Sequence, residues 1–274
     1  SSVDATWSGK LLGNELDGIV NWSIEMEDHA GNKNICGGTG HPLLIDNTLP
    51  TISGETSISS NNMNNIELYA ISGDVITVFF DSKEPLHSAK VTTYDNGNNI
   101  DLSGDAVKVG GDNKKWTLSG DVTGLENTGS ITWNIEMTDI AGNVNTSGGS
   151  DQLIIDNLHP SINGSVDISS NNINKPSTLS ISGDIVSLFF KTYESLSGAK
   201  ISVFDSATSI ISTLSGEAVM VGGDDKEWSI SGKLNGTEQD GLLTRNITIM
   251  DLAGNETTIN NITTNLEIDH TPPY

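Results

Sequence analysis

One cysteine, Cys36, stands in 274 residues, so no internal disulfide framework can staple this chain. Stability must come from packed cores, turns or bound ions. Basic residues are few: 13 Lys and Arg face 36 Asp and Glu, a formal net charge of −23. That balance repels phosphate backbones and anionic lipid, which argues against nucleic acid and membrane surfaces as partners and leaves cations as the natural counter-partners. No apolar run approaches the roughly 20 residues of a membrane helix, and no basic-then-apolar signal segment is seen. The expectation is therefore no direct membrane insertion in this segment, with any export signal removed or outside the stretch. Hydrophobic residues reach only 35% and aromatics 5%, while glycines number 29, a composition that builds thin cores and many turns.

What the chain does have is repetition at a long period. Trp22-Ser-Ile-Glu-Met-Glu-Asp28-His-Ala-Gly-Asn32 matches Trp133-Asn-Ile-Glu-Met-Thr-Asp139-Ile-Ala-Gly-Asn143 and, more loosely, Arg245-Asn-Ile-Thr-Ile-Met-Asp251-Leu-Ala-Gly-Asn255. The aspartate of the motif thus recurs at positions 28, 139 and 251, at nearly equal intervals. Trp7, Trp116 and Trp228 recur at almost the same interval, and Ile-Asp-x-x-x-Pro does so too, ending at Pro50, Pro160 and Pro273. These markers predict an incomplete C-terminal half of a domain over 1–52 and complete units over 53–162 and 163–274. A half sandwich cannot cover Trp22, Ile24 and Met26, so the segment reads as a window from a longer array. The rarer alternative is completion by strands of a neighbouring chain.

Within each unit the apolar period is two. Ile131-Thr-Trp133-Asn-Ile135-Glu-Met137 alternates strictly, and Ile76, Val78, Phe80 and Val186, Leu188, Phe190 do the same after Ser-Gly-Asp turns. Turn signals spaced by about 8–12 residues then predict six to eight short strands per unit, the form of an all-β sandwich. Phe79 and Phe189 fall between inward residues and are expected to point outward. Arg245 stands where Trp22 and Trp133 stand, so the third unit either repacks or exposes that position. Cys36-Gly37-Gly38 reads as a flexible run carrying an incidental thiol.

In Gly73-Asp74 with Phe80 and Glu84, in Gly183-Asp184 with Phe190 and Glu194, in the mid-domain Trp, in Asp-x-Ala-Gly-Asn and in Ile-Asp-x-Thr-x-Pro, the chain resembles the bacterial and archaeal immunoglobulin-like repeats of large cell-surface proteins, among them adhesins and surface-layer or filament proteins. The resemblance covers nearly the whole chain and implies an all-β fold of tandem immunoglobulin-like β-sandwiches arranged head to tail, in a non-enzymatic, extracellular structural segment. Its implied partners are adjacent immunoglobulin-like domains or neighbouring copies, a homopolymer included. An accessory or carbohydrate-binding module array of a secreted enzyme is the competing reading, but it expects an exposed aromatic platform in one unit.

In such a sandwich the exit of one unit approaches two loops of the next. Asp46 and Asn47 are thus expected near Glu84 and Asp139, and Asp156 and Asn157 near Glu194 and Asp251, two clusters of hard oxygens. The junctions resemble those of calcium-stiffened repeats, and Ca²⁺, which takes six to eight oxygen ligands, is the implied ion. The bland alternative is that Asp28, Asp139 and Asp251 only cap their turns and that Asp46, Asp156 and Asp269 only begin linkers.

Other motifs dissolve on comparison between repeats. Ser197-Gly-Ala-Lys200 aligns with His87-Ser-Ala-Lys90 and has no partner motif. The run from Asp95 to Asp101 lacks the glycine and glutamate of a calcium loop. The histidines at 29, 41, 87, 159 and 270 never pair at metal-ligand spacing. Seven sequons, from Asn21 to Asn261, permit glycosylation without arguing for it.

Overall fold

The structure, a computed structural model, describes residues 5–38, 43–65, 68–95 and 98–272. His41, and Asn96 and Gly97 of the Asp95–Asp101 run, lie outside the described residues. The fold is a tandem of immunoglobulin-like β-sandwiches, and among the described residues no helix is long and apolar enough to cross a membrane.

In segment 53–162 one sheet orders Val107–Lys108, Lys115–Asp121, Val75–Asp81 and Ser57–Ser60, and the other orders Tyr69–Ala70, Val144–Ile155, Gly129–Asp139, Leu86–Asp95 and Asn98–Asp105. Segment 163–274 gives the same orders: Val219–Val221, Asp224–Lys233, Ile185–Lys191, Asp167–Ser170, and then Leu179–Ser180, Glu256–Ile268, Gly241–Asp251, Leu196–Phe204, Gly216–Glu217. Among the described residues each segment thus carries nine strands where the turn spacing predicts six to eight. The surplus comes from two-residue strands such as Tyr69–Ala70 and Leu179–Ser180, too short to show a period of two. Both of these pair in parallel with the last long strand, Tyr69 opposite Ile154 and Leu179 opposite Glu267.

By its internal contacts the chain divides into one unit of Ser1–Ile58, Thr77–Gly120 and Thr132–Asp151, and another of Ser59–Ile76, Asp121–Ile131 and Gln152–Tyr274. This division does not follow the sequence repeat, because it passes through strands such as Val75–Asp81 and Gly129–Asp139. In the first unit the inward residues Val78, Phe80, Leu86, Val91, Ile135 and Met137 are buried, and the Trp116 indole N–H donates to the Asn113 carbonyl (3.0 Å). In the second, Val186, Leu188, Phe190, Leu196, Ile201 and Ile249 belong to one core cluster, closed by Trp228, whose indole donates to Asp225 O (2.9 Å). Each fully buried side chain of this size contributes roughly 1.5–3 kcal/mol of hydrophobic stabilisation. Phe79 and Phe189 lie on the opposite strand face, half-buried, with the Lys191 ammonium 5.8 Å from the Phe189 ring centroid.

The N-terminal residues form the hairpin Trp22–Glu27 with Lys33–Gly38, and Gly18–Ile19 pairs with Leu44–Ile45. Trp22, Ile24 and Met26 alternate on one face of that hairpin and all three are exposed, as is Trp7. Cys36-Gly37-Gly38 is not a flexible run but an edge of this ladder. Gly38 sits opposite Trp22, and a Cβ on Gly37 would stand 2.8 Å from the Trp22 carbonyl, so the glycines admit the close approach. Gly149 serves the same end in the next repeat, where a Cβ would meet the Trp133 ring at 2.6 Å.

Arg245 is repacked rather than exposed. It lies on the inward strand face at 7% exposure, with Nη2 donating to Val166 O (3.4 Å) and Nε buried without a partner. The glycine of the other repeats is replaced opposite it by Ile262, reached through an irregular register beside Asn261 at φ 56°. Burial lowers the guanidinium pKa and Asp167 only partly offsets this, so the charge is a net cost where it sits. Arg245→Met is therefore expected to stabilise the third sandwich by about 1 kcal/mol or more. Urea denaturation measures it, and an unchanged or lower midpoint contradicts the assignment.

Candidate metal centre

The Asp-x-Ala-Gly-Asn element is a tight hairpin in all three copies, built around its aspartate. Asp139 Oδ1 accepts from the backbone N–H groups of Gly142 (2.7 Å) and Asn143 (2.9 Å), and Oδ2 from Asn143 Nδ2 (2.8 Å). Asp251 repeats this with Gly254, Asn255 and Asn255 Nδ2 at 2.7, 2.9 and 2.9 Å. Asp28 takes Ala30, Asn32 and Asn32 Nδ2, each at 2.9 Å. The capping role is thus present at every copy, and it leaves acceptor capacity on Oδ2, since an ionised carboxylate offers about four lone-pair sites.

Two of the three copies add further carboxylates. One oxygen each from Asp46, Glu84 and Asp139 lie within 4.8 Å of one another, and so do one each from Asp156, Glu194 and Asp251. Each trio falls inside a single unit. The linker aspartates keep one oxygen on their own turns, Asp46 Oδ1 with Thr48 N and Asp156 Oδ1 with Leu158 N, both at 3.1 Å. Glutamate loops are shaped from below: Ser82 Oγ donates to Glu84 O and Thr192 Oγ1 to Glu194 O, both at 2.6 Å. The second trio lines a cavity of about 260 Å³ together with Tyr69, Ser195, Lys226 and Leu252.

Burial first, and then crowding of like charge, pushes carboxyl pKa values up in the trios. Burial raises the Glu194 pKa, and the neighbouring Asp251 and Asp156 raise it further against a smaller opposing effect of Lys226. Burial and then Asp46 and Asp139 raise that of Glu84 in the same way. Asp156 is raised by burial, with a smaller push from Asp251. For Asp139 burial also raises the pKa, but hydrogen bonds from Asn143, Gly142 and Ala141 outweigh it and the net shift is downward.

Asn47 and Asn157 tie their N–H donors to the linker, and the Asn157 Oδ1 is buried without a partner among the described residues. Asn47 donates through its backbone to Asp17 Oδ1 (2.7 Å) and through Nδ2 to Glu15 O (2.9 Å), and Asn157 donates to Thr128 Oγ1 (3.2 Å) and Glu126 O (3.1 Å). Both brace the start of the linker. The oxygens next to the trios come with a contact the residue types do not announce: Asn143 Nδ2 donates to the Asp46 carbonyl (2.9 Å) and Asn255 Nδ2 to the Asp156 carbonyl (2.8 Å). Lys114 and Lys226 also recur, their ammoniums on Lys83 O (2.9 Å) and Tyr193 O (3.4 Å), next to the two glutamates. These two lysines stand one repeat period apart, and aligning the repeats beyond the acidic positions finds them. Asp28 has no such trio among the described residues, and Asp269 Oδ1 caps Thr271 N (3.0 Å).

No protein-family model matches the chain, and no curated protein matches it. Among solved structures it is similar to a tetra-tandem repeat from the extending region of a large adhesion protein, at 18% identity and a TM-score of 0.32 over 91% of this chain and 57% of that one. It is similar to a 1.5-MDa bacterial ice-binding adhesin at 16% identity and a TM-score of 0.43, over 79% of this chain and 65% of the other. A Ca²⁺-stabilized, ice-binding adhesin of an Antarctic bacterium matches at 16% identity and a TM-score of 0.42, over 93% and 57%. The chain therefore spans less than two thirds of each of these proteins' own length. Likeness at this level leaves function to the chain's own residues.

Proposed function

We propose that this chain is a non-enzymatic structural segment of an extracellular or cell-surface protein, a spacer of tandem sandwiches in which Ca²⁺ stiffens the passage from one repeat to the next. One observation carries the reading: the same carboxylate trio is built twice from matched positions, Asp46 with Asp156, Glu84 with Glu194 and Asp139 with Asp251, each pair one repeat period apart. A turn cap needs only the third member. Glu84 and Glu194 accept no hydrogen bond from the described residues through their carboxylates, and bringing them beside two aspartates costs free energy unless a cation is present. The donor set is all hard oxygen, which suits Ca²⁺ and disfavours the softer transition metals.

Asp46, Glu84 and Asp139, and likewise Asp156, Glu194 and Asp251, are the residues to hold the ion. The ion supplies charge neutralisation that ties a linker to two loops of the following sandwich; the side chains themselves supply position, since Asp139 and Asp251 are fixed by three donors each. Thermal unfolding in EDTA and in excess Ca²⁺ tests this. A ligand that binds only the folded state adds about 2.7 kcal/mol at 100 times Kd, so the melting temperature should rise with Ca²⁺. Combined Glu84→Gln and Glu194→Gln should raise it in EDTA, by relieving like-charge crowding, and abolish the Ca²⁺ response. Identical melts in EDTA and Ca²⁺ would refute the calcium reading.

A further inference from the structure

The loop 60–65 holds a turn of the following repeat, and Asn62 is its hub. The Asn62 backbone N–H donates to Ser60 Oγ (3.2 Å), and its Oδ1 accepts from the N–H groups of Asn64 and Asn65, both at 2.9 Å. Its Nδ2 donates to Asp74 Oδ2 (2.8 Å) and to the carbonyl of Ala253 (3.0 Å), the alanine of Asp251-Leu-Ala-Gly-Asn255. Beside it Asn64 lies against Gly254, where a Cβ would stand 2.0 Å from Asn64 Nδ2. At φ 101° the position favours glycine, and any side chain there would also have to displace the Asn64 amide. The same turn reaches the linker through Asn255 Nδ2 on the Asp156 carbonyl.

The third sandwich builds this loop again at 170–175. Asn172 donates to Ser170 Oγ (3.2 Å) and accepts from Asn174 N (3.0 Å) and Lys175 N (3.2 Å), and its Nδ2 donates to Asp184 Oδ2 (2.9 Å). Every contact of Asn62 is reproduced except the one to an alanine carbonyl. Asn62 is 1% exposed and Asn172 8%, while Asn64 and Asn174 are both exposed. The linker beyond is set as well: Asp240 accepts from His270 N (2.8 Å) and Thr271 Oγ1 (2.7 Å), the same pair of contacts that Asp17 makes with Asn47 N and Thr48 Oγ1. The sister loop thus shows what covers such a surface.

We infer that loop 170–175, with the Asp269 carbonyl, is a docking socket for a further immunoglobulin-like repeat that presents an Asp-x-Ala-Gly-Asn turn. The alanine carbonyl accepts the second Asn172 Nδ2 hydrogen, the glycine passes Asn174, and the turn's asparagine donates to Asp269 O. Glycine and asparagine are the selective positions: the first needs a left-handed backbone, as at Gly254, and any side chain there has to displace the Asn174 amide, while loss of the second leaves the linker carbonyl without its donor. The socket rests on the reading of the chain as a repeat segment, but it needs no metal.

The test extends the chain by its own residues 161–273 placed after Pro273, which adds one full repeat period and brings a second copy of the 251–255 turn to the socket at native spacing. Amide hydrogen exchange is followed in EDTA. The turn 28–32 is the internal reference, because its aspartate likewise accepts from the N–H and Nδ2 of the turn's asparagine and a Cβ on Gly31 meets nothing within 4 Å. The appended turn is expected to exchange about tenfold more slowly than 28–32, and Asn174→Trp to erase that difference while leaving the stability of the unextended chain unchanged. Protected strands in the appended sandwich with a turn as fast as 28–32 overturn the socket alone. Unprotected appended strands overturn the repeat reading beneath it.

Discussion

Phe190→Ala is expected to destabilise the third sandwich by about 3–5 kcal/mol, a large part of the ~5–15 kcal/mol that holds a typical domain. Phe190 is fully buried in the strand Ile185–Lys191 and belongs to the cluster with Leu188, Ile201, Trp228 and Ile249. Truncation removes the ring's burial and leaves a cavity that a close-packed core only partly closes. Its neighbour is the control. Phe189 faces the other way under Lys191, half in solvent, so Phe189→Ala should cost about 1 kcal/mol or less. Urea denaturation of the two variants reads the difference directly, and equal losses would mean that the strand's faces are misassigned.

The second large effect is expected at a glycine. A Cβ on Gly232 would stand 1.9 Å from the Thr213 carbonyl oxygen and 2.5 Å from its carbon, backbone atoms that can yield only if the short 3₁₀ turn Ser212–Leu214 moves. Gly232→Ala should therefore cost about 3 kcal/mol or more. At the same place in the preceding repeat the obstacle is softer. A Cβ on Gly120 meets Leu102 Cδ1 at 2.7 Å, the end of a flexible side chain, and Gly120→Ala should cost visibly less, about 1–2 kcal/mol. The ordering of the two variants in urea is the measurement; Gly120→Ala as harmful as Gly232→Ala would mean that Thr213 does not sit where the fold puts it.

These two cases also show what the sequence makes legible. Phe80 and Phe190 are readable because burial follows a period of two, and the repeat doubles the signal. The carboxylates of Asp46, Glu84 and Asp139 can be placed near one another from topology, since a unit's exit must pass the loops of the next. The bonds of their two asparagine companions are not legible in that way: Asn47 and Asn157 give their side-chain amide donors to carbonyl oxygens at the start of the linker, a local preference that no spacing rule contains. Gly232 and Gly120 look identical in the sequence, because what distinguishes them is the neighbour across the sandwich. Arg245 is ambiguous for the same reason: whether a charged residue in an apolar position goes in or out depends on the opposite strand, where Ile262 and the turned backbone at Asn261 replace a glycine. The contact of Asn62 with Ala253 joins residues 191 positions apart, beyond any periodicity.

The two-residue strands have a mechanical consequence. Leu179–Ser180 runs parallel to the end of Glu256–Ile268, and two backbone bonds fasten them, Glu267 N to Thr178 O (2.9 Å) and Asp269 N to Ser180 O (3.0 Å). The preceding repeat has the same pair of fasteners, Ile154 N to Leu68 O (2.8 Å) and Asp156 N to Ala70 O (2.9 Å). Tension on the two ends of a sandwich draws parallel partners past each other along their own axes. Both bonds then carry load together and must fail together, unlike those of a hairpin opened from its end, which fail one at a time. The smallest strands in each sandwich are thereby placed where they resist a pull along the chain, at the last backbone hydrogen bonds before the linker.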